Sequence, residues 1–233
     1  MAEVVTSRLR DEIVDGEFHL GQALSESKIA NKYEVSRTPV REAFALLGLE
    51  GLVRTEPQQG TFIFTIDREQ FAQMSRTRSI LETAALDIVL ETNPERLVRH
   101  WARLCAAMSK AADTGDAKRY SRYDGDFHLA LFKLADNPFL LAAGQSFAAK
   151  MAAVRNRLGS QPEHIAKSLV QHIELLRLVE ERKARSASEL LEHHIRFKGE
   201  SFWAAADLME DIVARTSSER GRRARSTTRR AYT

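Results

Sequence analysis

The chain has 233 residues, 43% of them hydrophobic and 29% charged, with 11 glycines and 5 prolines. That is enough apolar material to core one large or two ordinary domains, and it argues against extensive disorder. No apolar run approaches the roughly 18 residues of a membrane span, and the N-terminus lacks the apolar core of a signal peptide. The lone cysteine, Cys105, excludes an intrachain disulfide, so a reducing cytoplasm is the expected location. The net charge of +3 is unevenly spread: residues 1–66 hold seven Lys/Arg against ten Asp/Glu, and residues 217–233 hold six Arg against one Glu.

The first clear element lies within Leu24–Val35. Ser25 is a candidate N-cap, but Lys28 stands where a full capping box needs an acid or amide. Ile29, Ala30 and Tyr33 supply an apolar face, and Glu34-Val35 make a turn. A second helix follows from Ser36, whose hydroxyl can cap it, with Pro39 in the first turn where a missing N–H costs little. Val40, Phe44 and Leu47 recur at helical spacing, while Arg37, Thr38 and Arg41 gather near the N-terminal end, the end that reaches base edges when such a helix enters the major groove. Two β-prone runs, Gly51–Thr55 and Thr61–Thr65, flank a hairpin loop over Glu56–Gly60. Two helices, a turn and a hairpin make a winged helix-turn-helix over residues 1–66.

From Asp67 the β-prone runs vanish and helical periodicity continues to Ala214. Six helices are expected, over 67–92, 95–113, 117–135, 138–158, 163–183 and 186–214. The fold class is therefore mainly α, a winged helix followed by an all-α bundle over 67–216, with a basic, disordered tail at 217–233. Cys105 sits in an apolar helical stretch and reads as a buried structural thiol.

The bundle carries a second pattern. Asp124 and His128 are four residues apart on one helix face, and His172 and His194 each have apolar neighbours at helical spacing and point inward. One carboxylate and three imidazoles suit a divalent transition metal. His193 is the alternative to His194, and Asp126 points away from His128. Arg78 and Glu82, four apart, fit an intrahelical ion pair, or Arg78 faces a cavity. Arg155 or Arg157, late in the fourth helix of the bundle, is placed to hold a carboxylate bidentately.

The run Leu24-Ser-Glu…Ala30…Val35-Ser-Arg-Thr-Pro-Val-Arg-Glu-Ala43…Leu49-Glu-Gly-Leu-Val53…Gly60-Thr-Phe-Ile63 closely resembles the DNA-binding domain of GntR-family bacterial transcription regulators. It departs at the wing, where Gln58-Gln59 stand in place of an arginine many relatives carry. Asp124-x-x-Phe-His128, then His172-Ile and His194-Ile, resembles the FCD effector domain of the FadR-type subgroup. The resemblance implies DNA contacts from Arg37 and Arg41, supported by Ser36, Thr38, Gln59, Gly60 and Thr61, with Ser27 near a phosphate. It implies Asp124, His128, His172 and His194 as ligands to zinc, with nickel or manganese as alternatives. Gln171 replaces a glutamate common in relatives and still offers a hydrogen bond beside the first His-Ile. The implied partners are double-stranded operator DNA, a second copy of the chain in a homodimer, and a small carboxylic acid held by Arg78, Arg155 and the metal. The expected function is a repressor relieved by that acid. A direct metal sensor shares the same site. A metal-dependent hydrolase is the weaker alternative, since no further general base is placed beside the cluster.

Overall fold

Helix α1 (Ala2–Val14) buries Val5, Leu9 and Ile13 against the two helices that follow it, α2 (Glu26–Tyr33) and α3 (Arg37–Leu49). The computed structural model describes residues 1–158 and 162–196, without the side chains of residues 155, 157 and 158. Ser25 caps α2, accepting the Lys28 N–H at 3.4 Å, and Glu34 closes it in the left-handed conformation at φ 57°. Ser36 stands at the N-cap of α3 with extended backbone, but its hydroxyl makes no capping bond, contrary to the expectation from sequence. Pro39 in the first turn removes one N–H that a cap would otherwise satisfy. Strands β1 (Ala23–Leu24), β2 (Val53–Glu56) and β3 (Gly60–Ile63) form an antiparallel sheet in the order β1-β3-β2, with Thr55 opposite Thr61. The hairpin was legible in the sequence; α1 and the two-residue β1 were not.

A full capping box starts α4 (Arg68–Thr92): the Asp67 carboxylate accepts the Gln70 N–H at 2.8 Å and Gln70 Oε1 accepts the Asp67 N–H at 3.3 Å. Then come α5 (Pro94–Asp113), α6 (Ala117–Leu134), α7 (Pro138–Leu158) and α8 (Pro162–Glu180), and a further helix, α9, over 184–196. The boundaries agree with the expected six helices to within a few residues as far as they are described. The remainder of the last expected helix and the arginine-rich tail lie outside the described residues. No helix among those described is long and apolar enough to cross a membrane.

Helix α6 sits centrally, packed on α4, α5 and α7, while α8 lies on α5. Trp101 of α5 stacks on Phe127 of α6 at 4.0 Å between ring centroids, and its indole N–H donates to the Phe127 carbonyl at 3.0 Å. Gly144 lets α7 approach α6 closely, since a β-carbon there would meet the Phe132 ring at 2.7 Å. The C-terminal part of α7 leaves the bundle core: Met151, Ala153 and Val154 are buried in the winged-helix cluster with Val5, Leu9 and Phe64. One helix therefore belongs to both hydrophobic cores.

Candidate functional site

The winged helix presents Arg37, Thr38 and Arg41, all exposed, along the first turns of α3. Arg37 has no hydrogen bond or ion pair with another described residue, while Arg41 Nε reaches Glu26 Oε2 on α2 at 2.8 Å. Ser36 is exposed beside them, and Ser27 is half-buried with its hydroxyl 3.0 Å from that of Ser25. At the wing, Gln59 and Gly60 are exposed. Gln58 and Gly60 take φ of 63° and 116°, which turns the loop tightly. Thr61 is buried, and its hydroxyl lies 3.0 Å from that of Thr55 across the hairpin, so its side chain serves the wing's own structure.

Inside the bundle, α6 contributes Asp124 and His128, α8 contributes His172 and α9 contributes His194. All four are buried, and one ligand atom from each lies within 4.8 Å of the others. His128 Nε2 is 3.3 Å from His194 Nε2, and His172 Nε2 is 3.6 Å from Asp124 Oδ1. Edges of roughly 3–3.5 Å are what ligands at about 2.1 Å from a metal subtend. His193 is exposed, so the His-Ile register identifies the inward histidine.

The outer partners decide the tautomers. His128 Nδ1 lies 2.6 Å from Glu82 Oε2, and His194 Nδ1 lies 2.8 Å from Gln171 Oε1. Each partner atom is an acceptor, so each Nδ1 carries the proton and each Nε2 presents a lone pair. Two imidazole lone pairs facing one another at 3.3 Å repel unless a cation lies between them. This is the arrangement a divalent ion needs, and the residues present fit one.

Glu82 is the hub of the outer shell. Burial raises its pKa, but Arg78 and His128 outweigh that and hold the carboxyl down to about 2. Burial, with the charge of Arg78, lowers His128 to about 4, leaving the ring neutral as a ligand must be. Phe127 lies 4.4 Å from the His172 ring, and the Cys105 thiol lies 3.7 Å from the His172 carbonyl. Burial pushes that thiol up to about 11.

A cavity of about 420 Å³ opens beside the cluster, with His128, Glu82 and Arg78 in its wall. Arg78 is 2% exposed, bonds Glu82 through Nε, and leaves Nη1 and Nη2 buried without a hydrogen-bond partner among the described residues. It is both of the things the sequence offered, an intrahelical ion pair and a cavity wall. Phe147 also lines the cavity, whereas Tyr120 and Phe127 belong to the core. Arg155 lies on α7, but its side chain, like that of Arg157, is outside the described residues.

Residues 73–197 match the FCD domain, and residues 1–63 match the bacterial regulatory proteins of the gntR family. The chain belongs to the gntR family, in its FCD-bearing branch. This gntR-family protein is 30% identical over 136 residues to the gluconate operon transcriptional repressor of Bacillus subtilis (strain 168), a match covering 58% of the chain and 56% of the relative. The match thus spans somewhat more than half the length of that relative. The transcriptional repressor RspR of Escherichia coli K12 is 26% identical over 199 residues, covering 83% of this chain and 85% of that one. Among solved structures, a gntR regulator of Rhodococcus sp. RHA1 shares the fold with TM-score 0.77 at 23% identity, covering 88% of this chain and 98% of the other. E. coli McbR/YncC gives 0.76 at 18% identity, covering 88% and 98%. The gntR family is one of bacterial regulatory proteins, and the two curated relatives are named as transcriptional repressors.

Sequence reasoning about this gntR-family protein missed Glu82 as the partner of His128. Its (i, i+4) spacing to Arg78 had already given it a use, and the 46-residue separation from His128 carries no local signal. Gln171 was foreseen as a hydrogen-bonding partner and reaches His194.

Proposed function

We propose that this gntR-family protein is a DNA-binding transcription regulator of the cytoplasm, a repressor controlled by a small carboxylic acid bound beside a metal site in its C-terminal domain. In this reading residues 1–66 read double-stranded operator DNA, residues 67–216 bind the effector and form the homodimer, and Asp124, His128, His172 and His194 hold one divalent ion, zinc first. The names of the repressor relatives support the direction of control.

One observation carries the effector reading: Arg78 Nη1 and Nη2, without a hydrogen-bond partner among the described residues, belong to a side chain in the wall of a cavity that also reaches His128. A buried guanidinium with open donors selects a carboxylate, which it can hold bidentately. The ion, when bound, supplies a Lewis-acidic anchor for an acidic oxygen. Glu82 fixes the rest: it orients the Arg78 fork from one oxygen and the His128 ring from the other. Helix α4 carries both Arg78 and Glu82 and is separated from β3 of the wing by only four residues, so occupancy of the cavity bears on the element that leads out of the reading head.

The acid controls DNA binding only if it prefers one arrangement of the two parts, and operator DNA must then change acid affinity by the same factor. The test is calorimetric titration of an acid selected by thermal shift, with and without operator DNA. A tenfold difference corresponds to about 1.4 kcal/mol of coupling. Equal affinities would refute control by that acid and favour direct metal sensing.

A further inference from the structure

The two imidazoles that face each other at 3.3 Å are backed by different groups. Behind His128 stands a carboxylate: Glu82 Oε2 lies 2.6 Å from Nδ1, and the same group is the ion-pair partner of Arg78. A carboxylate so paired only accepts, so His128 Nδ1 carries the proton and Nε2 is an acceptor whether or not an ion is bound. Behind His194 stands an amide: Gln171 Oε1 lies 2.8 Å from Nδ1. An amide has a donor end as well as an acceptor end, and the two are nearly alike in size and shape. A half-turn of the Gln171 amide exchanges carbonyl for NH₂ beside His194 with little displacement of its neighbours. Glu82 is 1% exposed and held at both oxygens, whereas Gln171 is half-buried.

Each orientation of the amide suits one state of the cluster. With Oε1 toward the ring, Nδ1 is the protonated nitrogen and Nε2 offers its lone pair to an ion. Without an ion, that lone pair faces the His128 lone pair across 3.3 Å in a buried site, with no donor between them. With the NH₂ group toward the ring, Nδ1 is the acceptor and Nε2 carries the proton. His194 Nε2–H then donates to His128 Nε2 along the same line, and both rings are satisfied and neutral. The exchange moves no net charge: one proton leaves Nδ1 for solvent and one reaches Nε2 from solvent. Nor does it require α9 to undock, since Ala187, Leu191 and Ile195 stay in the bundle core.

We propose that Gln171 is a two-position switch for His194: its carbonyl holds the ring as a ligand, and its NH₂ group turns in when the ion leaves, so that His194 hydrogen-bonds to His128. Gln171 is a positioning residue, acting on the ion through His194. The cluster then empties and refills without unfolding, which makes the ion an exchangeable occupant rather than a permanent staple. The inference rests on the metal-site reading above and adds how the site releases its ion. A carboxylate at position 171 would hold the Nδ1 proton in both states and make the empty cluster costly.

The test is long-range proton–nitrogen NMR of the full chain labelled with ¹⁵N-histidine, zinc-loaded and after chelator dialysis, with the His194 signals identified by their loss in His194→Asn. The expected result is a proton on His194 Nδ1 in the loaded chain and on Nε2 in the metal-free chain. In metal-free Gln171→Glu the proton stays on Nδ1, and that form melts below metal-free wild type. Zinc competition shows Gln171→Glu binding about tenfold or more tighter than wild type. A metal-free wild type that keeps the Nδ1 proton, or that unfolds on losing zinc, would overturn the proposal. So would a zinc affinity of folded Gln171→Glu within about threefold of wild type, well short of what an outer partner commands. A folded wild type that takes up no zinc at all overturns the metal site and this inference together. Zinc uptake with the Nδ1 proton retained in both states overturns the switch and leaves the site standing.

Discussion

Replacing Glu82 with alanine removes the one carboxylate that serves both Arg78 and His128. Arg78 is 2% exposed and Glu82 1%, so the variant leaves a guanidinium buried beside a void. Breaking a buried ion pair by deleting one partner costs about 3–5 kcal/mol. At about 2–4 °C per kcal/mol for a chain of this size, the melting temperature falls by roughly 6–20 °C. Loss of the acceptor at His128 Nδ1 adds a separate defect, a metal affinity lowered about 10–100-fold. Melting in the presence of a chelator isolates the first effect, and zinc competition at neutral pH isolates the second. Pairing Glu82→Leu with Arg78→Met removes both charges together, and such replacements are often neutral or stabilising. The double variant is therefore expected to be more stable than Glu82→Ala by at least about 2 kcal/mol. A loss below about 1 kcal/mol in Glu82→Ala, or strictly additive effects of the changes at 78 and 82, would refute the account of Glu82 as a buried hub.

The DNA-reading face gives a graded expectation. Arg37→Ala loses a contact from a side chain with no described partner and costs on the order of 1–3 kcal/mol of operator affinity; Arg41→Ala costs less, because Arg41 must first leave Glu26. Unchanged affinity in both folded variants, measured by fluorescence anisotropy, would remove α3 as the reading helix. At Cys105, burial raises the thiol to about 11, so it stays protonated at pH 8 and resists a thiol reagent until the chain is unfolded. Rapid labelling of the folded protein would contradict its placement in the core. Asp67→Ala removes the capping box of α4 and costs about 1 kcal/mol, read by denaturant unfolding; no change would mean the cap does not anchor the helix.

Much of this was legible in the chain because its signals are local. Pro39 after a serine, the apolar spacing of Val40, Phe44 and Leu47, and the Asp124–His128 interval each declare a helix face within one or two turns. The breaks at Asn93-Pro94 and Asn137-Pro138 set helix starts because proline suits the first turn. What escaped depends on contacts across long separations. Glu82 meets His128 across 46 residues, and Asn156 meets Val14 across 142. Helix α1 was missed because its short apolar set, Val5, Leu9 and Ile13, lies among charged residues and lacks a side-chain cap. The passage of α7 from one core to the other has no signature either: Met151, Ala153 and Val154 read as ordinary bundle residues, and only the packing assigns them to the winged helix.

In the proposed metal site, two imidazole lone pairs face each other at 3.3 Å, their outer nitrogens committed to Glu82 and Gln171, and enclose one ion together with Asp124 and His172. The direct measurement is elemental analysis of the full chain after chelator dialysis and reloading with zinc, beside His172→Ala treated identically. The account predicts one ion per chain in wild type and a substoichiometric, readily dialysed amount in the variant. A folded wild type that takes up no metal, or a variant that retains a full equivalent, would contradict it.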